Sequence, residues 1–201
     1  MSPSKCSYLV FTTSSQSESD SLKLELFNKA LVINDNPTFL GIRFDYHLNF
    51  KNQQAYLKDA CIRRLNVLKI MANKSWGLSI KTLTQLYTSL IRSLLEYSSI
   101  IYPRFANTNF QIIEKIQSTC LKIVYRKSKF ESNQLIQSLS TIQTVKERFD
   151  ELNVNYINKS LNSNNELIID LYKEYINYSQ SRELKYKTLF CDYVEEITYN
   201  I

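Results

Sequence analysis

At 201 residues with 44% hydrophobic content, the chain can build one large core or two small ones, and with only 2 glycines and 3 prolines it lacks the turn residues of a sandwich or barrel. Its formal net charge of +6 is unevenly spread: residues 51–130 hold 14 Lys and Arg against 3 acids, leaving mildly acidic ends. Such a cationic middle is the footprint of a phosphate-binding element, and equally of a lysine-rich, solvated helical surface.

The first forty-odd residues alternate as strands do. Tyr8 to Thr13 is β-branched and aromatic, Ser14 to Ser21 is a polar loop, and Leu22, Leu24 and Leu26 alternate with Lys23 and Glu25. Asn28-Lys29 turns the chain into Ala30–Ile33, and Asn34-Asp35-Asn36-Pro37 is a strong turn cluster. Phe39 to Phe44 reads as the last strand, and Gly41 inside it marks a bulge or a close approach of another backbone or ligand. From about Phe50 the period becomes helical. Leu57, Cys61, Leu65, Leu68 and Ala72 form one apolar stripe, broken at Trp76-Gly77. Ser79 is placed to cap a second helix with the stripe Leu83, Leu86, Leu90, Leu94, Tyr97 and Ile101, ended by Pro103. Asn107 or Thr108 starts a third, with Ile112, Ile113, Ile116, Cys120, Leu121 and Val124 on its apolar side and Arg126-Lys127-Ser128-Lys129 at its end. After a short segment at Asn133–Leu139, Ser140 or Thr141 opens a fourth helix through Val145, Phe149, Leu152 and Tyr156, and a further helix covers about Glu166–Tyr178. The expected class is α+β: a small antiparallel sheet of three or four strands, then a mostly helical bundle.

Familiar catalytic patterns are missing. Two isolated glycines make no phosphate loop, and the only histidine, His47, has no zinc-ligand partner or nucleophile motif beside it. Glu147, Asp150 and Glu151 share a helical face, as a metal cluster would, or as a solvated first turn favoured by the helix dipole would. No Asp-Asp pair is present, although nucleotidyl transfer holds its two metals with such aspartates. The dispersed cysteines Cys6, Cys61, Cys120 and Cys191 argue against a zinc ribbon or disulfide scaffold and suit a reducing compartment. Without a leader or a membrane-length apolar run, the expectation is a soluble intracellular protein of nucleus or cytoplasm, with no membrane partner.

Four segments, in order, resemble the C-terminal part of a non-LTR (LINE-type, jockey-like) retrotransposon reverse transcriptase. Ser2-Pro3-Ser4-Lys5-Cys6 running to Phe11 is similar to the family's Asn-Pro-x-Lys palm segment. Phe39-Leu40-Gly41-Ile42-Arg43-Phe44-Asp45 is similar to its Tyr-Leu-Gly primer-grip segment. Ser75-Trp76-Gly77-Leu78-Ser79, continuing to Arg92-Ser93-Leu94-Leu95-Glu96-Tyr97, resembles its thumb helix, and Ile116-Gln117-Ser118-Thr119-Cys120-Leu121-Lys122 resembles the helix that follows. The match covers about residues 2–130, with Ser2 and Phe39 replacing the usual Asn and Tyr.

The resemblance implies a partial palm over 1–49, a basic helical thumb over 50–130 and a helical extension of undefined role over 131–201. It implies a remnant of an RNA-directed DNA polymerase whose full form uses two magnesium ions, with the Tyr-x-Asp-Asp hairpin falling upstream of Met1 and no cofactor held by this chain. Lys5 corresponds to the palm lysine able to protonate leaving pyrophosphate, and is otherwise a surface lysine beside a strand. Phe39, Leu40, Gly41 and Ile42 correspond to the primer grip, and otherwise form a core strand with a bulge. Lys58, Arg63, Arg64, Lys69, Lys74, Lys81, Arg92, Lys122, Arg126, Lys127 and Lys129 would line a thumb that tracks the phosphates of an RNA–DNA or DNA template–primer duplex. Trp76 would stack on a base or sugar, or be buried between helices. Rival readings are a co-opted, non-catalytic nucleic-acid-binding helical protein and an inert, poorly soluble product of a decayed element.

Overall fold

The computed structural model describes residues 6–11, 22–105, 107–163, 165–179 and 189–197. Its strands are very short. β1 (Ser7–Tyr8), β2 (Glu25–Leu26), β3 (Lys29–Ala30), β4 (Val32–Ile33), β5 (Thr38–Phe39) and β6 (Ile42–Arg43) pair as three two-stranded ladders. β2–β3 and β5–β6 are antiparallel hairpins, while β1 lies parallel to β4 with Ser7 opposite Val32 and Tyr8 opposite Ile33. Phe39–Phe44, expected as a single strand, is therefore a hairpin tip and its returning arm. Leu40 (φ 46°) and Gly41 (φ 78°) both sit at positive φ, the signature of a type I′ turn whose twist matches the strands it joins. Phe27 (φ 51°) and Asn28 (φ 56°) do the same between β2 and β3.

Asp45 ends the sheet region. Its Oδ1 accepts from the backbone N–H of His47 (3.2 Å) and Asn49 (2.9 Å), which folds the link into α1 (Lys51–Met71). The buried Gln53 of α1 accepts from the Arg43 N–H at 3.1 Å, fastening β6 to the helix.

A 3₁₀ turn at Lys74–Trp76 follows α1, and Gly77 (φ 62°) closes it in the left-handed region. Ser79 caps α2 (Ile80–Tyr87) as expected, its Oγ accepting from Thr82 N–H at 3.1 Å. The helix then widens into a π turn over Thr88–Arg92 before α3 (Ser93–Glu96). The reason lies in the side chains. Leu83, Tyr87, Ile91 and Leu95 are all buried and recur every fourth residue. In an ideal α-helix, side chains four apart drift by about 40° per step, so three steps would swing Leu95 about 120° off the core. One extra residue in the π turn takes back about 100° of that drift. The fully buried face is thus Leu83, Tyr87, Ile91 and Leu95, while Leu86, Leu90 and Leu94 of the expected stripe pack half-buried at its edge and Ile101 is buried. Tyr97, placed on that stripe, is exposed.

A 3₁₀ segment at Ser99–Arg104 contains Pro103 and leads to α4 (Asn107–Val124), α5 (Asn133–Leu139), α6 (Val145–Asn162), α7 (Glu166–Ser179) and α8 (Leu189–Tyr193). α6 begins later than the Ser140 or Thr141 start expected. Thr144 is its cap, in a reciprocal capping box with Glu147. One apolar core gathers Phe50 and the inward faces of α1 to α6 as far as Phe149. A second, smaller one holds Ile157 and Leu161 of α6 with Tyr172 and Tyr193. The result is the α+β class: a small strand region ahead of a helical bundle.

Candidate nucleic-acid interface

Five lysines converge where α4 meets α5. Lys69 of α1, Lys115 and Lys122 of α4, and Lys127 and Lys129 of the connecting loop line a cleft of about 900 Å³ whose one acidic wall residue, among the described residues, is Glu114. The loop is built to hold them. Lys127 N–H donates to Lys122 O (2.8 Å) and Arg126 N–H to Ile123 O (3.0 Å), with Arg126 at φ 54°. This is a Schellman end with arginine where glycine usually stands. The Arg126 guanidinium donates to Leu78 O at 2.8 Å, clasping the end of α4 to the segment before α2. Lys122 Nζ donates to Lys129 O at 3.2 Å, and Ser128 forms the next turn by accepting Phe130 N–H on its Oγ (3.2 Å) and Glu131 N–H on its carbonyl (3.1 Å). Ser132 then caps α5.

Of the cations expected on a duplex-tracking face, Lys69, Lys122, Lys127 and Lys129 meet in this cleft. The others lie apart. Arg63 shares a polar hollow with Arg43 of β6, Asn52 and Asp59, and Lys58 lines an apolar one with Leu57, Ile112 and Ile116. Arg64 donates to Leu90 O at 2.6 Å. Lys74 and Lys81 are exposed near the 3₁₀ turn, beside Trp76, which is 58% exposed and not wedged between helices. Arg92 leaves the set altogether. It is 6% exposed, and its guanidinium donates to Glu96 Oε1 (3.0 Å), Gln117 Oε1 (3.0 Å), Gln143 O (2.7 Å) and Thr144 O (3.4 Å). Lys115 and Phe130 were passed over in the sequence. Their signals were a lysine seven residues before Lys122, hence on the same helical face, and an aromatic directly after the basic run.

At the expected primer grip, Phe39 and Leu40 are exposed and Ile42 is half-buried against the main core. Gly41 is approached by a side chain of this protein. A Cβ there would meet the Tyr97 ring at 3.4 Å, and the Tyr97 hydroxyl donates to Leu40 O at 2.6 Å. Within the chain, then, Gly41 serves the positive φ of the hairpin tip, and what lies near it is a tyrosine side chain and not another backbone. Lys5 lies outside the described residues.

The carboxylates Glu147, Asp150 and Glu151 do not converge. Glu147 accepts from Thr144 N–H (2.9 Å), Glu151 pairs with Arg148 (3.2 Å), and Asp150 accepts from Tyr193 (2.8 Å). Hydrogen bonds from Thr144 hold the Glu147 carboxyl, and those from Gln143 and then Arg148 the Glu151 carboxyl, below the usual range. Among the described residues no three His, Cys, Asp or Glu side chains form a group that could hold a metal ion. Cys61 and Cys120 are core groups, and burial pushes their thiols up to about 11 and about 12. Among the described residues no helix is long and apolar enough to cross a membrane.

Part of the chain is similar to a retrotransposon protein. Over 114 residues, 55% of this chain, it is 25% identical to the "Retrovirus-related Pol polyprotein from type-1 retrotransposable element R1 4" of Nasonia vitripennis. The match covers 29% of that polyprotein, so this chain spans well under half its length. No family model matches the chain, and no solved structure does. The similarity to the R1 Pol polyprotein supports an origin related to non-LTR retrotransposons.

Proposed function

We propose that this chain is a reverse-transcriptase-derived module that grips nucleic acid and does not itself copy it. The observation that carries the reading is the α4–α5 cleft, where five ammonium groups face one carboxylate. So unbalanced a cavity favours a polyanion, and phosphates are the anions such lysines position without reading sequence. The similarity to the R1 Pol polyprotein makes template–primer the natural class of ligand. The hairpin at Leu40-Gly41, held by Tyr97, would then present the primer-grip counterpart, and the exposed cations from Lys58 to Lys81 would follow the duplex backbone. With no adjacent aspartate pair in the sequence, nucleotidyl transfer is assigned to residues other than these.

Salt dependence tests this. The affinity for an RNA–DNA hybrid with a single-stranded template overhang should fall linearly with salt on a log–log plot. The double variant Lys115→Gln/Lys127→Gln should flatten that slope by between about 1.4 and about 1.8, taken as about 0.7 per neutralised phosphate of a single strand and about 0.9 of a duplex. An affinity that ignores salt, or a slope that ignores the substitutions, would overturn the proposal.

A further inference from the structure

Beside the lysine cleft stands a side chain that a duplex would not use. Phe130 is 85% exposed, more than any other large apolar side chain among the described residues. Its backbone is fixed by the Ser128 turn, so the ring is presented from a hydrogen-bonded frame. Lys129, a wall of the cleft, places its ammonium over the ring, 4.9 Å from the centroid. Cation and aromatic are therefore contiguous, Lys129 on the cleft wall and Phe130 next to it in the chain, outside the lining itself.

We infer that the α4–α5 cleft takes an unpaired nucleic-acid strand, phosphates on its lysines and one base stacked on Phe130. This rests on the nucleic-acid reading above and narrows the ligand at this one cleft. A paired duplex keeps its bases stacked on one another and offers the cleft only phosphates along a stiff, convex surface. An unpaired strand bends into a concavity and offers a charged backbone and a free π-face together. Those are the two components by which proteins hold single strands without sequence preference. Asn133, Gln134 and Gln137 on the α5 wall add donors and acceptors suited to exposed base edges. For a template–primer, the matching element is the single-stranded template overhang beyond the paired region.

The test is fluorescence anisotropy on the full chain with three labelled probes of about 12 nucleotides or base pairs, within the range single-strand modules cover: an oligo-dT strand, the same backbone without bases, and a blunt duplex. Phe130→Ala should weaken oligo-dT binding roughly tenfold, and Phe130→Trp should restore it. Binding of the abasic strand and the duplex should be unchanged by either. Because Phe130 is solvated, a circular dichroism spectrum matching wild type is expected and confirms the fold. If Phe130→Ala changes no probe, or changes all three equally, the single-strand inference fails while nucleic-acid binding stands. If wild type binds none of the probes at low salt, both readings fail together.

Discussion

Arg92 reads in the sequence as one more cation of a basic block, and in the fold it is the bolt of the interior. Its fork reaches α3 through Glu96, α4 through Gln117, and the approach to α6 through the carbonyls of Gln143 and Thr144. Gln117 is completed by the Tyr87 hydroxyl (2.7 Å), and Glu96 by Arg148 (3.1 Å), so the network is satisfied on every side. Burial pushes the Tyr87 phenol well above its usual range, so it stays a neutral donor. Removing the guanidinium takes a charged donor from four acceptors at once and leaves each with a single other donor: Tyr87 on Gln117, Gln117 on the Gln143 carbonyl, and Arg148 on Glu96 and the Thr144 carbonyl. Arg92→Met should therefore lower unfolding stability by about 3 kcal/mol, measured by urea denaturation. Arg92→Lys should recover little, since a single ammonium cannot span acceptors on several elements. A near-neutral Arg92→Met would overturn this account.

Single elements show which parts of the fold were legible. α1 and α4 announce themselves by apolar stripes, α2 by Ser79, and α5 by an apolar pair between polar neighbours; the structure places these where the sequence does. The misses have physical causes. The Phe39–Phe44 run is apolar throughout, and Leu40 at positive φ hides a turn that Asn-Gly would advertise. Ser140, with Gln143 three residues on, reads as a cap as well as Thr144 does, but in the fold Ser140 ends α5 and Thr144 closes the box with Glu147. The cleft was half legible: its lysines are visible as charge, but their convergence depends on how α4 and α5 cross. Thr144→Ala should cost about 1 kcal/mol, seen as a lowered midpoint in denaturant. The pH sign follows from the box. The Glu147 carboxyl is held below its ordinary value by the Thr144 N–H, so its contribution is present above that ordinary value and disappears as pH falls through the lowered one. In Thr144→Pro, which lacks that N–H, this part of the acid sensitivity should be absent.

At the scale of the molecule, two apolar cores are strung on one helix. α6 sends Val145 and Phe149 into the larger and Ile157 and Leu161 into the smaller, with Asn153 at the junction. The Asn153 amide donates to Ser99 O (3.3 Å) and to the Tyr193 hydroxyl (3.1 Å), so a polar joint links the two. Ile157→Ala should open a cavity in the smaller core and cost about 3 kcal/mol there. Hydrogen exchange should then speed in α7 and α8 while α1 and α4 keep their protection. Uniform loss of protection would show that the two cores unfold as one. The strand region is the opposite case, with Phe27, Val32, Phe39 and Leu40 exposed around ladders two residues long. Its order derives from contacts with the helices, chiefly Arg43 to Gln53 and Leu40 to Tyr97.

The π turn at Thr88–Arg92 has one further consequence, for how this chain tolerates length changes. It is equivalent to a one-residue insertion. Deleting one residue there would restore a regular α-helix with better-aligned backbone hydrogen bonds. It would also rotate Leu83 and Tyr87 by about 100° relative to Leu95 and Glu96. The more regular helix would thus belong to the less stable protein, and a single-codon deletion in this stretch would be opposed by the interior, never by the backbone.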